Sequence, residues 1–120
     1  MMVTICKQFD FDAAHYLPLL PREHKCHAIH GHTYRVDVMC SGECGEDGML
    51  IDYADIAAVW APVHALIDHK LLNTVEGLFN PTTEVLAPWI IARMAVSLPC
   101  LAGVRVYESS TTWCEVMLAR

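Results

Sequence analysis

The chain has no apolar run near the roughly 18–20 residues that a membrane-spanning helix needs, so no membrane partner is expected. It is also poor in positive charge: 8 Lys and Arg face 14 Asp and Glu, a net charge of −6. The few cations are scattered, with no polybasic run. Nucleic acid is therefore not expected as a partner, because phosphate binding relies on clustered Lys and Arg. No CxxC pair occurs among the 6 cysteines (Cys6, Cys26, Cys40, Cys44, Cys100 and Cys114). The opening residues 1–7 lack the basic end, apolar run and small-residue cleavage site of a secretion signal. The expected location is cytoplasmic, with thiols reduced rather than paired. Cys6, Cys40 and Cys114 fall in apolar strand-like segments and read as core. Cys40 and Cys44, separated by a likely loop, are only a weak metal signal. Linkers, repeats and low-complexity stretches are missing too, so residues 1–120 read as one domain.

Apolar mass is plentiful. Of the 120 residues, 54% are hydrophobic, and the mean hydropathy is +0.31. In a short chain without a membrane segment, that excess is expected to be buried against copies of itself, giving a homo-oligomer.

Periodicity supplies the elements. Val3, Ile5, Phe9, Phe11 and Ala13 share one parity and predict a long half-buried strand. Tyr34, Val36, Val38 and Cys40 alternate against Arg35 and Asp37 and predict a second, after a loop that contains Pro18 and Pro21. Residues 41–48 read as a turn. Asp52 is a candidate N-cap for a helix with Ile56, Trp60, Val63 and Ile67 on its apolar stripe, and Pro62 should kink or break it. After a loop over residues 73–81, Thr82 or Thr83 is placed to cap a second helix. Glu84 complements the dipole of that helix, and Val85, Trp89, Ala92 and Val96 form its stripe. Pro88 is tolerable there only near the helix start. Strands at about residues 104–108 and 112–118 close the chain. The order ββααββ predicts an α+β fold, an antiparallel sheet with both helices on one face.

The chemistry concentrates in residues 24–32, where 1 cysteine and 4 of the chain's 7 histidines lie together. His30 and His32 stand two apart at the start of the second strand and project from the same face. His15 closes the first strand and is a third candidate. Three neutral imidazoles around Zn²⁺ leave a fourth position open, as a catalytic zinc requires. Such a metal would grip substrate oxygens and act as a Lewis acid. Cys26 lies just upstream. It reads either as a catalytic thiolate aided by nearby cationic charge, or as the fourth ligand of a closed structural site. Arg22, His24 and Lys25 are candidate contacts for an anionic substrate. His27 has no assigned role, and His64 reads as packed within the first helix. Trp60, Trp89 and Trp113 fit core or interface packing.

Ala13-Ala14-His15, Cys26-x3-His30-Gly31-His32, Leu66-Ile67-Asp68-His69, Asn80-Pro81-Thr82-x-Glu84 and Tyr107-Glu108-Ser109 occur in the order of the 6-pyruvoyltetrahydropterin synthase family, which the chain resembles over nearly its whole length. The three residues between Cys26 and His30 resemble the bacterial 6-carboxytetrahydropterin synthase branch, of queuosine biosynthesis. The resemblance implies a tunnelling fold whose sheets join into a trimeric barrel, with trimers stacking into a hexamer and active sites at subunit interfaces. It implies Zn²⁺ on His15, His30 and His32, Cys26 as catalytic base, and Asp68 with His69 completing the proton relay from a neighbouring subunit. Glu108 becomes the pterin anchor, its carboxylate accepting paired N–H bonds from the ring. Thr83 and Glu84 lie near the implied pterin pocket. The implied substrate is 7,8-dihydroneopterin triphosphate, converted to 6-carboxytetrahydropterin, acetaldehyde and triphosphate. Two alternatives stay open: the pyruvoyl-forming reaction, and a non-catalytic zinc-binding assembly protein with a closed Cys-His₃ site.

Overall fold

The computed structural model describes residues 1–119; Arg120, the last residue of the expected domain, lies outside the described residues. Strands β1 (Met2–His15) and β2 (His30–Glu43) form one unbroken antiparallel ladder, from Met2 opposite Glu43 to His15 opposite His30. Helix α1 (Tyr53–Ile67), the short strand β3 (Lys70–Leu71) and helix α2 (Thr83–Met94) follow. Strands β4 (Leu101–Ser109) and β5 (Thr112–Met117) end the order. The sheet runs β3-β1-β2-β4-β5. Its long strands are antiparallel, as expected. The two-residue β3 is a parallel addition beside Ala13 and Ala14, too short to leave a periodic trace in the sequence.

Both helices cover one sheet face, α1 over β1 and α2 over β4 and β5. That face carries Phe11, Ala13, Tyr34, Val36, Val38, Val104 and Val106, all buried, against Ile56, Trp60, Val63 and Ile67 of α1. The α1 stripe is thus as expected, and Asp52 caps the helix by accepting the Ala54 N–H at 2.8 Å. Pro62 does not break α1. The carbonyl its ring deprives of a partner belongs to Ala58, and both residues lie on the exposed side, open to solvent.

Three expectations are corrected. Cys6 is exposed, because it has the opposite parity to Ile5 and Phe9 and so faces away from the helices; Cys114 is only half-buried. The expected turn begins late, since β2 continues through Glu43. The stripe of α2 is rotated: Leu86, Ala87, Ile90, Ile91 and Met94 are buried, whereas Ala92 is exposed and Val96 lies beyond the helix end, 85% exposed. Two apolar stripes compete on this helix, and the longer side chains take the core. Trp89 stays buried at the margin, donating its Nε1–H to the Glu76 carbonyl at 2.9 Å.

The opposite face carries a polar network. Tyr107 donates to Asp37 at 3.0 Å, Arg105 donates to the Tyr107 hydroxyl at 3.0 Å, and the Arg35 guanidinium lies 3.8 Å from the Tyr107 ring centroid. The molecule is long, 56 × 23 × 23 Å, with a radius of gyration of 15.4 Å. A compact chain of this length would give about 13.6 Å. The excess comes from β1 and β2, of 14 residues each, which outrun the helices packed on them.

Candidate metal centre and active site

At one end of the helix-covered face the apolar alternation gives way to imidazoles. His15 continues the parity of Phe11 and Ala13, and His30 and His32 continue that of Tyr34 and Val36. Glu108 continues that of Val104 and Val106 on β4. A bulge falls at Glu108, where Tyr107 pairs with Trp113 and Ser109 with Thr112, and the Glu108 carboxylate lies 3.2 Å from His32 Nε2 and 3.4 Å from His15 Nε2. One donor atom from each of His15, His30, His32 and Glu108 lies within 4.8 Å of the others.

Backbone carbonyls set the tautomers. His15 Nδ1 lies 2.8 Å from the Pro81 carbonyl and His30 Nδ1 lies 2.8 Å from the Ala28 carbonyl, so each Nδ1 carries the proton and donates it. Their Nε2 lone pairs then face each other at 2.9 Å. Two such lone pairs repel unless a cation sits between them. His32 Nε2 is buried with no hydrogen-bond partner. Burial, the largest influence, holds the basicity of His15 and His32 below that of an ordinary imidazole, which keeps lone pairs available. The donor set therefore fits a divalent transition metal. Carbonyl-anchored imidazoles are the usual outer support of such a site.

Cys26 sits on a one-turn 3₁₀ segment, Lys25–His27. Its N–H donates to His24 Nδ1 at 3.0 Å and its carbonyl accepts from the Leu17 N–H at 2.8 Å, which ties the turn to the end of β1. Cys26 lines a cavity of about 400 Å³ with Lys25, His30, His32 and Glu108. It is not one of the mutually close donors; that place is taken by Glu108. Among the described residues, Lys25 is the one Lys or Arg lining this cavity. Arg22 and His24 are exposed on the same loop, and His27 is half-buried outside the donor group.

Asp68 and His69 lie elsewhere. Asp68 ends α1 and accepts the Asp12 N–H at 3.0 Å and the His69 Nδ1–H at 2.8 Å. The Asp12 hydrogen bond first, and then His69, hold the Asp68 carboxyl below its usual range, while Asp68 raises His69. His69 adopts φ +57°, and its N–H donates to the Asp12 carbonyl at 2.6 Å. This left-handed backbone turns the 76% exposed imidazole out to solvent. It lines a separate cavity of about 420 Å³ with Asp12, Gly31, His32 and Lys70. Within one chain, Cys26 and the Asp68–His69 pair do not share a cavity. His64 is half-buried, 3.7 Å from Asp68, and Thr83 donates to Glu84 at 2.8 Å.

Sequence reasoning missed the residues that hold the histidines. Asn73 accepts the Tyr16 N–H at 3.0 Å and donates to the Tyr16 and Phe79 carbonyls at 2.8 and 3.1 Å, clamping the end of β1 to the loop that delivers Pro81. Pro81 acts through its carbonyl, and the Asn80-Pro81-Thr82 motif was its only trace. The Tyr34 hydroxyl lies 3.2 Å from His15 Nδ1, beneath the cluster.

Residues 4–118 match the 6-pyruvoyl tetrahydropterin synthase family. The chain belongs to that family. It is 37% identical over 118 residues to a 6-carboxy-5,6,7,8-tetrahydropterin synthase of Synechocystis, covering 92% of this chain and 90% of the relative. It is also 34% identical over 99 residues to a dihydroneopterin monophosphate aldolase of Pyrococcus furiosus, covering 82% and 81%. In fold it superposes on the Caenorhabditis elegans 6-pyruvoyl tetrahydropterin synthase with a TM-score of 0.91, at 24% identity and 99% and 97% coverage. The tunnelling fold of the family is therefore the fold of this chain, while the exact chemistry rests on the site.

Proposed function

We propose that this family member is a zinc-dependent carbon–carbon lyase. It converts 7,8-dihydroneopterin triphosphate and water to 6-carboxy-5,6,7,8-tetrahydropterin, acetaldehyde and triphosphate, as a step toward queuosine. The observation that carries the reading is the cavity in which Cys26 stands beside His30, His32 and Glu108 without joining the metal-ligand group. A closed Cys-His₃ site would require Cys26 among the ligands, so this arrangement weighs against the non-catalytic alternative. The name of the relative at 37% identity, a 6-carboxy-5,6,7,8-tetrahydropterin synthase, supports the choice of reaction.

His15, His30 and His32 would hold Zn²⁺ through Nε2, and the bound metal would supply Lewis acidity to the substrate's side-chain oxygens. Cys26 moves protons on that side chain as a general base, with Lys25 as nearby positive charge. Glu108 accepts ring N–H groups of the pterin and sets its orientation. Asp68 fixes the His69 Nδ1–H and leaves Nε2 free to pass a proton. Because the pair does not line the Cys26 cavity of its own chain, a second copy brings it there. Met2 on β1, Trp113 and Met117 on β5, and Leu118 just after it are exposed and suited to that assembly into trimers or hexamers. A cytoplasmic setting, where Cys26 stays a thiol, completes the proposal.

Zinc-loaded protein incubated with 7,8-dihydroneopterin triphosphate provides the test, with acetaldehyde and the pterin product assayed together. In the proposed cleavage C1′ stays on the ring as carboxylate while C2′ and C3′ leave as acetaldehyde. A pyruvoyl product keeps all three carbons and would install the synthase alternative. No turnover in the presence of bound zinc would favour the non-catalytic one. The corresponding monophosphate is the informative control, given the relative in Pyrococcus furiosus.

A further inference from the structure

We propose that His64 is a positioning residue for the Asp68–His69 pair: a second imidazole on the same carboxylate, taking up a proton from solvent as His69 gives its own up. The inference rests on the proposed reading of that pair as a proton relay and adds a third member to it. Helical spacing alone makes His64 a packed residue of α1. The structure gives its ring a charged neighbour.

His64 lies in the last turn of α1, and its carbonyl accepts the Asp68 N–H at 2.8 Å. Residues four apart on a helix share a face, so the two side chains converge. His64 Nε2 stands 3.7 Å from Asp68 Oδ2. The same oxygen accepts the His69 Nδ1–H at 2.8 Å, while Oδ1 accepts the Asp12 N–H at 3.0 Å. One carboxylate oxygen therefore serves two imidazoles. The Trp60 ring, its centroid 6.1 Å from that of His64, backs the imidazole one turn below. The Asp12 hydrogen bond first, then His69 and finally His64 hold the Asp68 carboxyl below its usual range.

The remaining charges do not replace Asp68. Among the described residues it is the one carboxylate within ion-pair distance of His64. Asp12 on β1, Lys70 on β3 and His32 on β2 line the cavity of His69. From α2, Arg93 faces the groove beside Pro62 and Leu66. The C-terminal dipole of α1 favours a cation at His64.

A single carboxylate offsets one imidazolium well and two poorly. A protonated His69 therefore repels a proton from His64, and the two rings titrate as a coupled set. When His69 passes its proton to the substrate side chain, that repulsion ends and Asp68 faces two neutral rings. His64, whose side chain is 39% exposed, then binds a proton from water and keeps the carboxylate offset. Reprotonation of His69 returns the His64 proton to solvent. Solvent around the 76% exposed His69 screens this coupling and keeps it modest.

The test uses the intact, zinc-loaded protein. Ring-proton NMR follows His64, its signal assigned by its loss in His64→Gln. The His64 titration is expected to move to lower pH in Asp68→Asn and to higher pH in His69→Gln, by roughly a few tenths of a pH unit. Neither Gln nor Phe carries a charge, so His64→Gln and His64→Phe should each lower kcat by about two- to threefold and shift its pH profile. KM, metal content and circular dichroism should stay as in the wild type. A His64 titration that does not move in folded His69→Gln would overturn the inference. So would wild-type pH profiles in both His64 variants when His69→Gln has lost turnover. Full turnover in His69→Gln would instead sink the relay reading, and coupled titrations would still support the shared carboxylate.

Discussion

In the proposed reaction, Cys26 and the Asp68–His69 pair are where single atoms would decide the chemistry. Cys26→Ala is expected to retain fold and metal stoichiometry while losing about 10²–10⁴-fold in turnover. Metal content measured beside kcat separates this from a structural role, since a ligand cysteine would take the metal with it. For the pair, the hydrogen bond lowers Asp68 and raises His69. The Asp68 contribution is present above the ordinary carboxylate value of 3.8 and fades as pH falls through its lowered value. That of His69 is complete below 6.5 and fades as pH rises through its raised value, so both are complete between 3.8 and 6.5. Asp68→Asn should therefore move the His69 titration, followed by NMR of the ring protons, back down toward 6.5. An unmoved titration would remove the pair from the relay. The histidine cluster was legible because parity along two strands places His15, His30 and His32 on one face. Glu108's proximity to them was not, because it depends on β4 pairing beside β2, a neighbour that strand parity alone does not name.

Elements were legible where one apolar pattern had no rival. The α1 stripe was read correctly because Ile56, Trp60, Val63 and Ile67 form the one continuous helical face of that segment. On α2 two patterns overlap, and sequence spacing ranked them wrongly. Packing ranks them by buried volume, and it predicts that Ile90→Ala costs about 2–5 kcal/mol in chemical denaturation. Ala92→Ser, on the exposed side, should stay within about 0.5 kcal/mol. Similar losses at both positions would restore the original stripe. Helix α2 also links stability to the site. Thr82 caps it by accepting the Val85 N–H at 3.2 Å, directly after the Pro81 carbonyl that orients His15.

At the scale of the whole molecule, the histidine cluster and the sheet edge each give a measurement. Its histidine cluster presents facing lone pairs, so added Zn²⁺ should raise the melting temperature with a concentration dependence, by about 2.7 kcal/mol of stability at 100 times Kd. Chelator should reverse the gain, and a flat melting curve would argue against a resident metal. Its sheet ends on β5 with Trp113 51% and Met117 50% exposed. If that edge meets another copy, Met117→Glu should shift the sedimentation profile toward monomer and reduce turnover together. Unchanged mass would place the interface elsewhere.

By itself the sequence determined the composition of the site, since ligand-competent residues and strand parity are local and survive without coordinates. It also determined the order of elements, because apolar periodicity records which face each must bury. Only the tertiary structure decided that Glu108 reaches the histidines, that Pro81 and Ala28 fix their tautomers, and that Cys26 stands apart from His69. Those facts depend on the pairing of β4 beside β2, two backbone carbonyls and a left-handed residue, and their consequences appear only when segments distant in the chain pack together.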